Sequence, residues 1–74
     1  MTLEHIKALE VGQQVRDLIG NGYVSIRRKP DTAIGKPRYK VFAHSGKVSW
    51  SQGTFCAETA LQLANKFMAH IEGI

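Results

Sequence analysis

The sequence predicts an α+β fold in which an N-terminal helix, a three-stranded antiparallel sheet and a C-terminal helix follow one another as α-β-β-β-α. Two observations lead to this class. The spacing of apolar residues changes from a helical period to strict alternation after Gly20-Asn21-Gly22, and it returns to a helical period after Gly53. The chain of 74 residues has room for one small domain, residues 1–74, with the C-terminal helix packed on one face of the sheet.

The first predicted element is a helical segment within residues 1–20. The segment from Thr2 to Ile19 has its apolar residues on one side of a helix with a repeat of about 3.6 residues, and these residues are Ala8, Val11, Val15, Leu18 and Ile19. The glycines that follow, Gly20 and Gly22, are typical of a helix terminus. We expect this helix to be additional to the sheet and to offer a surface for a protein partner or for a homodimer.

Three alternating segments then predict three strands. They are Tyr23 to Lys29, Arg38 to His44 and Lys47 to Ser51. The proline-rich stretch from Pro30 to Pro37 predicts a loop between the first two strands, and Ser45-Gly46 predicts a tight hairpin turn between the others.

The last predicted element is a helix that begins after Thr54, its expected N-cap. Its apolar side chains recur at helical spacing, so one continuous stripe would pack on the sheet. The members of this stripe are Ala57, Ala60, Leu61, Ala64, Phe67, Met68 and Ile71. Together the sheet and this helix would occupy residues 23–72.

The positive charge of the chain is concentrated in its centre. The net charge is +4, yet the segment from Tyr23 to Trp50 contains seven basic residues and a single acid, Asp31. Such a block usually binds a polyanion.

Alternation along the strands separates this charge onto one face. Val24, Ile26, Tyr39, Val41, Val48 and Trp50 are expected to face the helices, and the opposite parity forms an open face. Exposed faces of antiparallel sheets are ordinarily polar, and lysines also protect sheet edges, so a merely solvated surface is the alternative interpretation. The open face contains no acid, and this favours a binding surface. Its predicted nucleic-acid-binding residues are Arg27, Lys29, Arg38, Lys40, Lys47, Tyr23, Ser25, Phe42 and Ser49, with His44 and Ser51 beside them.

Several segments resemble three-stranded-sheet DNA-binding domains of the plant ethylene-response type and the arm-site-binding N-terminal domains of phage-type integrases. These segments are Tyr23-Val24-Ser25-Ile26-Arg27-Arg28, Arg38-Tyr39-Lys40-Val41-Phe42, Trp50-Ser51-Gln52-Gly53-Thr54-Phe55, Ala57-Glu58-Thr59-Ala60 and Leu63-Ala64. The resemblance implies that the open sheet face enters the major groove of duplex DNA. It also implies that Arg27, Lys29, Arg38, Lys40 and Lys47 contact DNA and that Phe55, Ala60 and Ala64 are structural.

Two other partners fit the same composition. The order α-β-β-β-α is also that of double-stranded-RNA-binding domains, although the stretch before the last helix lacks their basic cluster. A phage or mobile-element inhibitor or adaptor would use the basic face against an acidic protein surface. The sequence therefore predicts a small DNA-binding protein and leaves RNA and protein as alternatives.

The sequence offers little support for an enzyme. His5, His44, Cys56 and His70 lack the short spacings of a zinc site, and the acids are dispersed, so we expect no metal, no cofactor and no catalytic residues. Apolar runs fall far short of the ~20 residues of a membrane span. The single cysteine and the absence of a signal-like N-terminus predict a cytoplasmic protein.

Overall fold

The computed structural model describes residues 1–46 and 48–72, which form one four-stranded antiparallel sheet with two helices on one side. The elements are α1 (Leu3–Lys7), β1 (Gln14–Ile19), β2 (Gly22–Lys29), β3 (Arg38–Ser45), β4 (Val48–Thr54) and α2 (Ala57–Glu72). The strands lie in sequence order, β1-β2-β3-β4. The fold class is thus α+β as predicted, but the sheet has four strands and not three.

The predicted first helix is wrong over most of its length. Only Leu3–Lys7 is helical, with the hydroxyl of Thr2 accepting a hydrogen bond from the amide of His5. Gly12 has φ of +90°, a backbone conformation that interrupts a helix, and residues 14–19 then pair with β2. Of the two glycines expected to end a helix, Gly20 instead lies in the turn of a hairpin and Gly22 begins β2, where it pairs with Ile19.

Residues of β1 alternate between the two sides of the sheet, but the polarity of their side chains does not follow this alternation. Val15, Asp17 and Ile19 face the helices, whereas Gln14, Arg16 and Leu18 face the open side. The inward Asp17 is held by the Met1 ammonium group at 2.6 Å, and the outward Leu18 is 80% exposed. The helical surface predicted to bind a partner or a second copy is therefore not formed by these residues.

The core lies between the sheet and the helices. α2 packs mainly over β2 and β3, and the predicted inward residues Val24, Ile26, Tyr39 and Val41 are buried. Trp50 on β4 is half-buried and stacks on Phe67 of α2, with 6.1 Å between the ring centres. Val48, also predicted to face the helices, is 45% exposed because it lies on the edge strand beyond the cover of α2. The predicted stripe of α2 is confirmed, with Ala57, Ala60, Ala64 and Ile71 buried and Leu61, Phe67 and Met68 half-buried.

The short helix α1 lies against α2 on the same side of the sheet. Ile6 is fully buried in the core, and the ammonium of Lys7 lies 3.3 Å from the carboxylate of Glu58. The backbone amide of Glu58 lowers the pKa of its own carboxyl, and Lys7 lowers it further. Both helices therefore cover the same face and leave the other open.

The two predicted connections are confirmed in outline. Gly46, with φ of +57°, follows Ser45, which pairs with Val48 across a hairpin. The loop 30–37 folds on itself through a hydrogen bond from the amide of Thr32 to the carbonyl of Lys36. Lys47, expected to begin the third predicted strand, lies outside the described residues.

Cys56, and not Thr54, is the N-cap of α2. Thr54 belongs to β4, whereas the carbonyl of Cys56 accepts from the amide of Ala60 at 3.1 Å and its sulfur accepts from the amide of Thr59 at 3.4 Å. Serine is a better cap than cysteine, and valine offers no acceptor. We expect Cys56→Ser to retain the free energy of unfolding and Cys56→Val to lose about 1 kcal/mol. Urea denaturation of both variants measures the difference, and an equal loss in both would contradict capping by the side chain.

Candidate nucleic-acid interface

The open face is organised in rows that run across the strands. Antiparallel pairing places residues of the same parity opposite one another, about 4.8 Å apart from strand to strand. From one end of the face to the other, the rows are Lys29 and Arg38; Gln14, Arg27, Lys40 and Gly53; Arg16, Ser25, Phe42 and Ser51; and Leu18, Tyr23, His44 and Ser49. The predicted parity of β2, β3 and β4 is thereby confirmed.

Four of the predicted cationic residues occupy two adjacent rows at one end. Arg27 lies directly opposite Lys40, and Lys29 lies directly opposite Arg38. Like charges directly opposite in a sheet are destabilising by a few tenths to about 1 kcal/mol per pair. The repulsion within these two pairs is unfavourable, and an anionic ligand bound between the cations would reduce it.

The acids nearest this charge face the other way. Asp31 is bound to Arg28, whose side chain lies over the ring of Tyr39 on the helix side, and the Arg28 Nη2 to Asp31 Oδ1 distance is 2.6 Å. Asp17 is bound to the Met1 ammonium group on that same side. Among residues 1–46 and 48–72, the open face contains no acid and its cations form no salt bridge.

A fifth cation comes from β1 and was missed by sequence reasoning. The Arg16 guanidinium carbon lies 4.2 Å from the centre of the Tyr23 ring. The other side of this ring stacks on His44 at 5.7 Å, and His44 Nδ1 lies 3.0 Å from the hydroxyl of Ser49. Tyr23 is half-buried between Arg16 of β1 and His44 of β3, so its ring holds Arg16 in place and offers less surface for stacking on a base than an exposed ring would.

The remaining predicted residues differ in what they offer a ligand. Phe42 is half-buried and lies 5.4 Å from the ammonium of Lys40, while Ser49 is exposed. Ser25 is only 2% exposed, because this small side chain lies between Arg16 on β1 and Phe42 on β3. It therefore presents no surface to a ligand. Lys47 lies outside the part of the chain that the structure describes.

The loop beyond the cationic end has an apolar surface. Ile34 and Phe55 are both largely exposed and line a cleft of about 390 Å³ together with Thr32, Ala33 and Lys36. The hydroxyl of Thr32 accepts from the amide of Lys36 at 3.1 Å, which gives the loop a defined shape. A ligand that extends past Lys29 and Arg38 would meet this loop.

No three His, Cys, Asp or Glu side chains among residues 1–46 and 48–72 lie close enough together to hold a metal ion. None of the helices in this range has the length and apolar character needed to cross a membrane. No protein-family model matches the chain, and no curated protein or solved structure shows a significant similarity to it.

Proposed function

We propose that this protein binds duplex DNA through the open face of its sheet. The observation that carries the proposal is the set of five cations on that face, Arg16, Arg27, Lys29, Arg38 and Lys40, with the neighbouring acids Asp17 and Asp31 held on the opposite side. An ordinary solvated face mixes charges of both signs, and the like-charged pairs here are unfavourable until an anion binds.

The shape and chemistry of the face suit a duplex. The major groove of B-DNA is about 12 Å wide and admits two β-strands. At the cationic end, β2 and β3 extend past both outer strands, because Lys29 and Arg38 pair with each other and with no residue of β1 or β4. Arginine pairs with phosphate or with guanine edges in a planar fork, and lysine acts as a point charge toward phosphate. We infer that Arg27, Lys29, Arg38 and Lys40 make the main contacts and that Arg16 adds a contact from β1.

The sequence resemblance to three-stranded-sheet DNA-binding domains supports the same ligand. The matching segments fall on β2, β3, β4 and α2, and β1 is additional to the family pattern. We propose a binding role without catalysis, because the described residues of the face carry charge, hydroxyl groups and rings but no paired acid and base. A cytoplasmic location is part of the proposal, since the unpaired Cys56 suits a reducing compartment.

Fluorescence anisotropy with labelled duplex DNA, duplex RNA and single strands, each titrated at several salt concentrations, tests this proposal. We expect duplex DNA to bind most tightly, with a log–log salt slope of about −3 to −5 for four or five neutralised phosphates. Preference for duplex RNA would contradict the proposal. Absence of binding to every nucleic acid at low salt would also contradict it and would assign the face to an acidic protein.

Arg16 provides a test of the part of the face that β1 supplies. Arg16→Gln removes one cation, so we expect affinity for duplex DNA to fall roughly three- to tenfold and the magnitude of the salt slope to fall by about 0.9. Lys66→Gln, an equal charge change on α2, is the matched control and should leave both quantities nearly unchanged. Equal effects of the two substitutions in the anisotropy titration would exclude a specific role for β1.

A further inference from the structure

The two outer strands of the sheet differ in how well they are protected against pairing with another strand. Natural sheets protect their edges with charged side chains, prolines, bulges or a covering element. The edge strand β1 carries Arg16 and Asp17 at its centre. The seven residues of β4, Val-Ser-Trp-Ser-Gln-Gly-Thr, contain no charge and no proline.

The geometry of β4 is also that of an open edge. Its pairing with β3 continues without interruption from Ser45 with Val48 to Tyr39 with Thr54, so it contains no bulge. Val48, Ser49, Ser51, Gln52 and Gly53 are all exposed, and only Trp50 and Thr54 are covered. The outer backbone groups of β4 are therefore accessible to a further strand.

An apolar cleft accompanies this edge on the helix side of the sheet. Its volume is about 410 Å³, and it lies between Trp50 of β4 and the last turns of α2, where Phe67 and His70 contact the indole ring. The exposed Val48 lies two residues before Trp50, on the same side of the strand. A strand added to β4 would cover the polar edge and bring its own side chains to this apolar surface.

We propose that β4 pairs with β4 of a second copy of this chain in a two-fold symmetric, antiparallel arrangement. The uncharged sequence of β4 favours this occupant: two copies, each with a net charge of +4, repel each other over most of their surface, and at β4 they meet without apposed charges. An acidic partner would instead be drawn to the cationic open face.

The strand is also complementary to its own reverse. A two-fold axis at Ser51 pairs all seven residues, with Val48 opposite Thr54, Ser49 opposite Gly53 and Trp50 opposite Gln52. The two open faces would then join in one eight-stranded sheet, with all helices on the other side. Such an interface is isologous and closes at the dimer.

Sedimentation equilibrium from micromolar to submillimolar concentration tests the dimer, after removal of bound nucleic acid at high salt. We expect the mass to rise from 8.2 kDa toward twice that value. Ser51→Lys places two like charges face to face at the axis and should raise the dimer dissociation constant at least tenfold. Val48→Lys adds a lysine of the kind that protects natural sheet edges, and it should act in the same direction. Gln62→Lys, the same change in net charge on the exposed surface of α2, should still dimerise.

Circular dichroism establishes that each variant is folded, so a loss of dimer is not a loss of structure. A wild-type chain that stays monomeric at every concentration would overturn the proposal. Dimerisation of Ser51→Lys as strong as that of Gln62→Lys would overturn it as well. No DNA is present in these measurements, so their failure is independent of the proposed DNA binding.

Discussion

The double substitution Arg27→Gln and Arg38→Gln is expected to weaken binding to duplex DNA by about 10- to 100-fold near 0.1 M salt and to lower the magnitude of the salt slope by about 1.8. Each substitution removes one phosphate-neutralising cation from the most densely charged end of the open face. Anisotropy titrations across a salt series measure both quantities.

The same variant is expected to be at least as stable as the wild type. Arg27 lies opposite Lys40 and Arg38 lies opposite Lys29, so each substitution relieves one repulsive cross-strand pair. The relief is a few tenths to about 1 kcal/mol per pair, which raises the melting temperature or leaves it unchanged. Weaker DNA binding together with an unchanged or higher melting temperature distinguishes a surface that binds a ligand from one that stabilises the fold.

The matched control is the double substitution Lys7→Gln and Lys66→Gln, which removes the same charge from the helix side. We expect its affinity for DNA to stay within about threefold of wild type, because exposed charges far from a ligand are largely screened. Equal losses of affinity in the two double variants would show that net charge alone determines binding, and that result contradicts an interface on the sheet.

Gly22→Ala is expected to destabilise the fold strongly. A Cβ at position 22 would lie 2.0 Å from the carbonyl oxygen of His44, which is a backbone atom and cannot move as a side chain does. Overpacking of this kind costs about 1–3 kcal/mol or more. For a domain of this size, we expect the melting temperature to fall by about 10 °C or more.

Gly53→Ala provides the control for this prediction. The nearest atom to a Cβ at position 53 is the carbonyl oxygen of Tyr39 at 3.9 Å, an ordinary contact distance. We expect a change of only a few degrees, measured in the same thermal melts by circular dichroism. A similar loss in both variants would contradict the close approach of β2 and β3 at Gly22.

The sequence was sufficient to predict the centre of the fold. β2, β3 and α2 have regular periods, prolines bound the loop between the two strands, and the alternation of Val24, Ile26, Tyr39 and Val41 placed the core correctly. The parity of these strands also placed Arg27, Lys29, Arg38 and Lys40 on one face. Regular periodicity thus predicted those features of the fold and of the open face that depend on the pattern within one strand or one helix.

The features that could not be predicted depend on contacts between distant residues. Asp17 interrupts the apolar residues on the inward side of β1, and its charge is tolerated there because the Met1 ammonium group binds it. The exposed Leu18 fits a helical spacing of apolar residues, so it contributed to the wrong prediction of a helix. Arg16 therefore did not appear among the predicted site residues. The burial of Ser25 and the covering of Tyr23 likewise depend on Arg16, which arrives with the unpredicted strand.

The arginine side chains permit the most direct test of the open face as the DNA interface. The chain has four arginines, of which Arg16, Arg27 and Arg38 are on the open face and Arg28 is held by Asp31 on the helix side. Nitrogen-15 spectra of the Nε–H groups, recorded with and without duplex DNA, report on each guanidinium separately. We predict large shifts for the three open-face arginines and little change for Arg28. A complex that shifts Arg28 most, or leaves Arg27 and Arg38 unperturbed, would contradict the proposed interface.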